Sequence, residues 1–93
     1  MTIKIQYTKN ATKFFKKNAS ILSKIEADEL ILKALRKLLK NEDINIDLKK
    51  LQSQELFRIR KGGVRIVFSF SSSDEIVVSL VEDIDFRGNI YKK

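Results

Sequence analysis

The stretch that most narrows what this chain can fold into runs from Leu56 to Phe70. Two runs rich in β-branched and aromatic residues are joined there by Gly62-Gly63. Val, Ile and Phe suit a pleated, half-buried surface. Paired glycines accept the positive φ that a two-residue hairpin turn demands. The stretch is therefore expected to form a β-hairpin, and its register can be written outward from the turn. Lys61 opposes Val64, Arg60 opposes Arg65, Ile59 opposes Ile66, and Arg58 opposes Val67. Side chains on a strand alternate between faces. One face then carries Phe57, Ile59, Val64, Ile66, Phe68 and Phe70; the other carries Arg58, Arg60 and Arg65, with Leu56 and Val67 beside them. Like charges directly opposed on a sheet are destabilising, so Arg60 against Arg65 is a place where an anion would be welcome. A solvated face of an antiparallel sheet is the ordinary explanation of such charge. Three arginines with no carboxylate among them on that face favour anion binding.

Ninety-three residues fit one domain spanning 1–93. A hydrophobic fraction of 43% allows a real core. With no Cys there is no disulfide and no thiol chemistry; with no His the usual neutral-pH base and metal ligand are missing. No apolar run approaches the length of a membrane span, and Met-Thr-Ile-Lys-Ile lacks a signal-peptide core, so a cytoplasmic protein is expected. The net charge of +7 with a pI near 9.8 favours polyanionic partners. That excess is concentrated: six cationic residues and one carboxylate, Glu55, lie between Lys49 and Arg65.

Taken in order, Thr2–Tyr7 alternates as a short strand. A first helix is expected from about Lys9 to Lys17, with Phe14 and Phe15 on its apolar side. Asn18-Ala19-Ser20 reads as a break with Ser20 as N-cap. A long helix follows from Ile21 to Lys40, with Leu22, Ile25, Leu32, Leu35, Leu38 and Leu39 at helical spacings. Its acids come first and its cations last, in keeping with the helix dipole. Lys33, Arg36, Lys37 and Lys40 read as a solvated edge. Asn41–Asp47 reads as a polar loop, with Lys49-Lys50 pointing outward after it. The hairpin comes next, then a turn at Ser71–Asp74 and an internal strand at Glu75–Val81. Glu82–Asp85 reads as an acidic loop before the tail Phe86–Lys93. The fold class is α+β, in the order β-α-α-β-β-β. Both helices pack on one face of a mainly antiparallel sheet, and the arginines lie on the other.

This order resembles the RelE/ParE superfamily, toxins of type II toxin–antitoxin systems. The matching residues are Leu56-Phe57-Arg58-Ile59-Arg60, Gly63-Val64-Arg65-Ile66-Val67-Phe68, and Phe86-Arg87-Gly88-Asn89-Ile90-Tyr91-Lys92. Val64 replaces the family's usual aromatic, and Asn89 its frequent Asp. The resemblance covers nearly the whole chain. It implies a toxin neutralised by a cognate antitoxin. RelE-like members cleave mRNA in the ribosomal A site, whereas ParE-like members inhibit DNA gyrase, and a shared scaffold does not select between them.

Cleavage by the RNA's own 2′-OH needs a group to take or orient the 2′ proton, charge stabilisation at phosphorus, and help for the leaving oxygen. It requires no metal or cofactor. Arg65 is the first candidate for phosphate stabilisation, since a guanidinium bonds phosphate bidentately; it maps onto the family's hairpin arginine. Arg87 and Tyr91 map onto the family's C-terminal arginine and tyrosine, and Tyr91 would orient the 2′-OH or stack on a base. Arg58, Arg60, Lys61, Lys49 and Lys50 are the phosphate-binding candidates. RelE-type nucleases often carry lysines where Arg58 and Arg60 stand, and arginine does not serve as a base. The expected function is a ribosome-dependent, metal-independent mRNA endoribonuclease. A gyrase inhibitor without nuclease chemistry and an inactive RNA-binding relative remain the alternatives.

Overall fold

Seven elements follow one another among the described residues: β1 (Thr2–Tyr7), α1 (Lys9–Asn18), α2 (Lys24–Lys40), β2 (Asp47–Lys50), β3 (Phe57–Lys61), β4 (Val64–Ser72) and β5 (Ile76–Phe86). The structure is a computed structural model that describes residues 2–51 and 55–86. The strands form one sheet in the order β1-β5-β4-β3-β2. β1 runs parallel to β5 at one edge, and the remaining pairs are antiparallel. This is the expected α+β arrangement with one additional strand.

The hairpin β3–β4 has the expected register, with Lys61 opposite Val64, Arg60 opposite Arg65, Ile59 opposite Ile66 and Arg58 opposite Val67. Gly62 takes φ 58°, a backbone that a side chain would strain. Only the first glycine needs this conformation, not both. The apolar face of the hairpin is covered by the helices. Ile59, Ile66 and Phe68 join Ala11, Phe14, Leu30, Ile31, Ala34, Leu35, Val77 and Val81 in one buried cluster. Each large apolar side chain removed from water there stabilises by roughly 1.5–3 kcal/mol.

Three boundaries differ from the sequence expectation. The polar segment after α2 ends in strand β2, in which Asp47 to Lys50 pair with Arg60 to Phe57; four residues carrying one apolar side chain show too little alternation to be read. The acidic segment Glu82–Asp85 is strand, not loop. Phe68 pairs with Val81 and Val67 with Asp83, which leaves Glu82 as an extra residue. That bulge shifts the alternation, so Val81 and Ile84 are both buried although three positions apart. The carbonyl of Glu82 instead accepts from the Thr8 hydroxyl at 2.7 Å, and the Thr8 hydroxyl also caps α1 by accepting from the Ala11 N–H at 3.1 Å. One side chain thus joins the first helix to the irregular point of β5.

Helix α2 starts three residues later than expected. Its N-cap is Ser23, not Ser20, and the Ser23 Oγ accepts from the Glu26 N–H while Glu26 accepts from the Ser23 N–H. This reciprocal pair satisfies two otherwise orphaned donors. At the other end Asn41 closes the helix in the left-handed conformation, φ 57°. The Tyr7 hydroxyl donates to Asp28, tying the end of β1 to α2, and the Lys24 ammonium stands 5.2 Å from the Tyr7 ring centroid. Burial, followed by the hydrogen bond and the charge of Asp28, raises the Tyr7 phenol well above its ordinary value.

Two outcomes test this account. Ser23→Ala should lower stability by about 1 kcal/mol, with a Tm drop of about 4–8 °C for a domain this size, while Ser20→Ala leaves thermal melts unchanged. Because the folded phenol's pKa is raised, its stabilisation is complete below the unfolded value of about 10 and is lost as pH rises past it. In a Tyr91→Phe background Tyr7 is the sole tyrosine, and phenolate absorbance should then appear only with alkaline unfolding; an ordinary titration in the folded state would refute this.

Candidate functional site

Alternation places Arg58, Arg60 and Arg65 on the sheet face away from the helix-covered core, as expected. The neighbouring strands add what the hairpin alone did not contain. Across the sheet one row reads Asp47, Arg60, Arg65, Asp85, and the next reads Lys49, Arg58, Val67, Asp83. The like-charged pair Arg60–Arg65 therefore sits between two carboxylates. The expectation that no carboxylate stands among these arginines is corrected by β2 and by the strand character of the acidic segment.

The three guanidiniums are not equivalent. Arg58 has a side chain only 8% exposed, and its Nη1 lies 3.7 Å from Asp47 Oδ1. Arg65 is 32% exposed, and its Nη2 lies 3.6 Å from Asp85 Oδ2. Both separations exceed the 2.7–2.9 Å or so of a charge-assisted hydrogen bond. Arg58 Nη1 and Arg65 Nε are buried without a hydrogen-bond partner. Arg60 is exposed. The face thus offers one enclosed cation and one half-exposed cation, each loosely held by an acid, and one exposed cation. Arg60 and Arg65 are the two that stand open to solvent.

The lysines divide. Lys49 shares the arginine face through its pairing with Arg58, whereas Lys50, paired with Phe57, alternates to the other side. Lys61 stands at the hairpin tip. With Lys33, Asn45, Asp47 and Arg60 it lines a cleft of about 240 Å³ between α2 and the strands. Lys33 is a residue that sequence reasoning missed, because a helix's basic edge looks solvated until α2 is laid beside β2 and β3. Arg87 and Tyr91 lie outside the described residues, so the geometry speaks only to the hairpin half of the candidate site. Chemically, guanidiniums so placed are suited to holding anionic oxygens.

Removing one partner of a buried pair leaves an uncompensated charge, whereas an apolar isostere leaves none. Asp47→Asn should therefore lower stability by about 1–2 kcal/mol, the lower end of that effect because Asp47 is half exposed. Arg58→Met should leave stability unchanged or raised. Urea melts of both variants check this, and a strongly destabilised Arg58→Met would show that the guanidinium holds the sheet together.

No family model matches the sequence, and no curated protein matches it. Solved structures do. The toxin–antitoxin complex RelBE2 from Mycobacterium tuberculosis contains a chain that matches with a TM-score of 0.61 at 19% identity, covering 94% of this chain and 100% of that one. The archaeal RelE–RelB complex from Pyrococcus horikoshii matches with a TM-score of 0.58 at 20% identity, over 95% and 98%. The YoeB/ParE toxin from Agrobacterium tumefaciens matches with a TM-score of 0.57 at 16% identity, over 89% and 97%. Across nearly its whole length, then, this chain is built on the α+β fold of RelE-type toxins.

Proposed function

We propose that the protein is the toxin of a type II toxin–antitoxin system and acts as a ribosome-dependent mRNA endoribonuclease, kept in check by a cognate antitoxin. The observation that carries this reading is the opposed pair Arg60–Arg65 on the sheet face away from the helices. Their mutual repulsion falls when a phosphate bridges them. The solved structures of similar fold, two of them complexes of a toxin with its antitoxin, support the same reading.

In this mechanism Arg65 stabilises the charge that develops on the phosphate during attack by the 2′-OH. Arg60, Lys61 and Lys49 steer and hold the RNA backbone. Lys33 extends that basic track along the cleft. Arg58 acts from its enclosed position by keeping Asp47 beside Arg60. Arg87 and Tyr91 enter from the sequence: the first adds a second guanidinium at the phosphate, and the second orients the 2′-OH. The chemistry calls for no cofactor.

A second reading has a specific observation behind it. Arg58 and Arg60 stand where a lysine could have acted as base, and neither guanidinium takes up that role. An inhibitor of DNA gyrase needs no base, and the same face would then bind protein.

Induced expression with mapping of transcript ends separates the two. Cleavage of ribosome-associated mRNA supports the nuclease, while intact mRNA with DNA-damage signalling selects the gyrase inhibitor. Arg65→Ala should lower cleavage by about 10²–10³-fold with an unchanged circular-dichroism spectrum. Full activity in that variant removes Arg65 from the chemistry.

A further inference from the structure

Helix α2 is apolar on two sides. Ala27, Leu30, Ile31, Ala34 and Leu35 are buried against the sheet. Ile25, Leu32 and Leu39 are not: they are 71%, 36% and 38% exposed. These three recur every seventh residue. A straight helix drifts only about 20° over that interval, so they form one stripe along its outer side. Core packing explains the first set and leaves the second unaccounted for.

We propose that this stripe is a docking surface for a second copy of the chain, packed antiparallel about a two-fold axis at Leu32. The pattern is symmetric about that residue: Leu32 meets its own copy, and Ile25 meets Leu39. A groove of about 200 Å³ lined by Ile3, Leu35, Arg36, Leu39 and Lys40 lies at the Leu39 level. It receives Ile25 of the second copy, the most exposed of the three. Knobs seated between four residues of a facing helix are the usual form of such packing.

Charge selects the partner and the direction. Glu29 and Arg36 lie on the same flank of the stripe, one turn either side of Leu32, and both are exposed. In an antiparallel pair like flanks meet, so each Glu29 lies beside Arg36 of the second copy. In a parallel pair this flank would meet the opposite flank of the second copy, and the match between Glu29 and Arg36 would be lost. Arg36 already donates to Glu42 Oε1 from Nε at 3.1 Å and from Nη2 at 2.8 Å. It is 53% exposed, and its remaining donors are available. A uniformly acidic helix from another protein would match Arg36 but not Glu29; a second copy matches both. Because α2 lies across the sheet from the arginines, such a pair leaves both arginine faces uncovered. The inference stands whatever those faces bind.

Sedimentation equilibrium on the purified full chain tests it, from micromolar to millimolar concentration in salt that screens the +7 charge of each copy. The wild type should form dimers. Leu32→Glu, which sets two carboxylates against each other on the axis, should weaken association by at least about tenfold. Glu29→Arg and Arg36→Glu should each weaken it, and the doubly reversed chain should return to within about threefold of wild type. Circular dichroism confirms folding, and should Leu32→Glu unfold, the two exposed reversals decide alone. A chain that stays monomeric throughout overturns the proposal. So does a dimer untouched by Leu32→Glu, or a double reversal that fails to restore pairing.

Discussion

The pairing of β3 with β4 about Gly62 couples the core of this protein to its charged surface. Alternation leaves no independent choice. Putting Ile59, Ile66 and Phe68 under the helices puts Arg58, Arg60 and Arg65 on the opposite side. A slip of one residue would expose the first set and bury the second, exchanging several kcal/mol of apolar burial for desolvated charge. The left-handed backbone at Gly62 holds the register. The arginine face is thus maintained by hydrophobic burial on the other side of the same strands.

Electrostatics on that face is a compromise. The row Asp47–Arg60–Arg65–Asp85 alternates between repulsion at its centre and attraction at its ends. Strand register sets the two arginines side by side, and Asp85 lies near the second of them. The ion pairs, Arg65 to Asp85 at 3.6 Å and Arg58 to Asp47 at 3.7 Å, are too long to consume the guanidiniums' hydrogen-bonding capacity. In the proposed function a phosphate would compete at Arg65 with an ion pair and not with a set of short hydrogen bonds. In that proposal, long-range attraction for a polyanion comes from the whole chain's excess of +7, and local grip from the exposed ends of Arg60 and Arg65. Arg58 illustrates the difference between carrying a charge and presenting it: its side chain is only 8% exposed.

The helices are anchored at points the strands provide. Thr8 caps α1 and also satisfies the carbonyl freed by the bulge at Glu82. Tyr7 reaches from the end of β1 to Asp28 on α2. With α2 held on the sheet through Ala27, Leu30, Ile31 and Ala34, its outer stripe is left facing solvent. The basic sheet face and the apolar helix face are consequently separate surfaces of one small domain.

Much of this was legible in the residues. Alternation about the paired glycines gave the hairpin register, helical spacing gave both helices, and the order of elements gave the α+β class. Those features are local: each depends on side chains a few positions apart and on backbone geometry that neighbours impose. The Ser23–Glu26 box is equally local, a serine and a glutamate three positions apart. What only the tertiary structure decided depends on strands meeting from distant parts of the chain. β2 exists because β3 offers it an edge, and the bulge at Glu82 hid the second half of β5 by breaking the period that reveals a strand. Asp47 and Asp85 reach the arginines only through lateral pairing. Sequence alone therefore determined which residues carry positive charge and on which face they stand. The fold determined which acids share that face and how far each cation is exposed, because hydrogen bonding between strands sets neighbours that spacing along the chain does not encode.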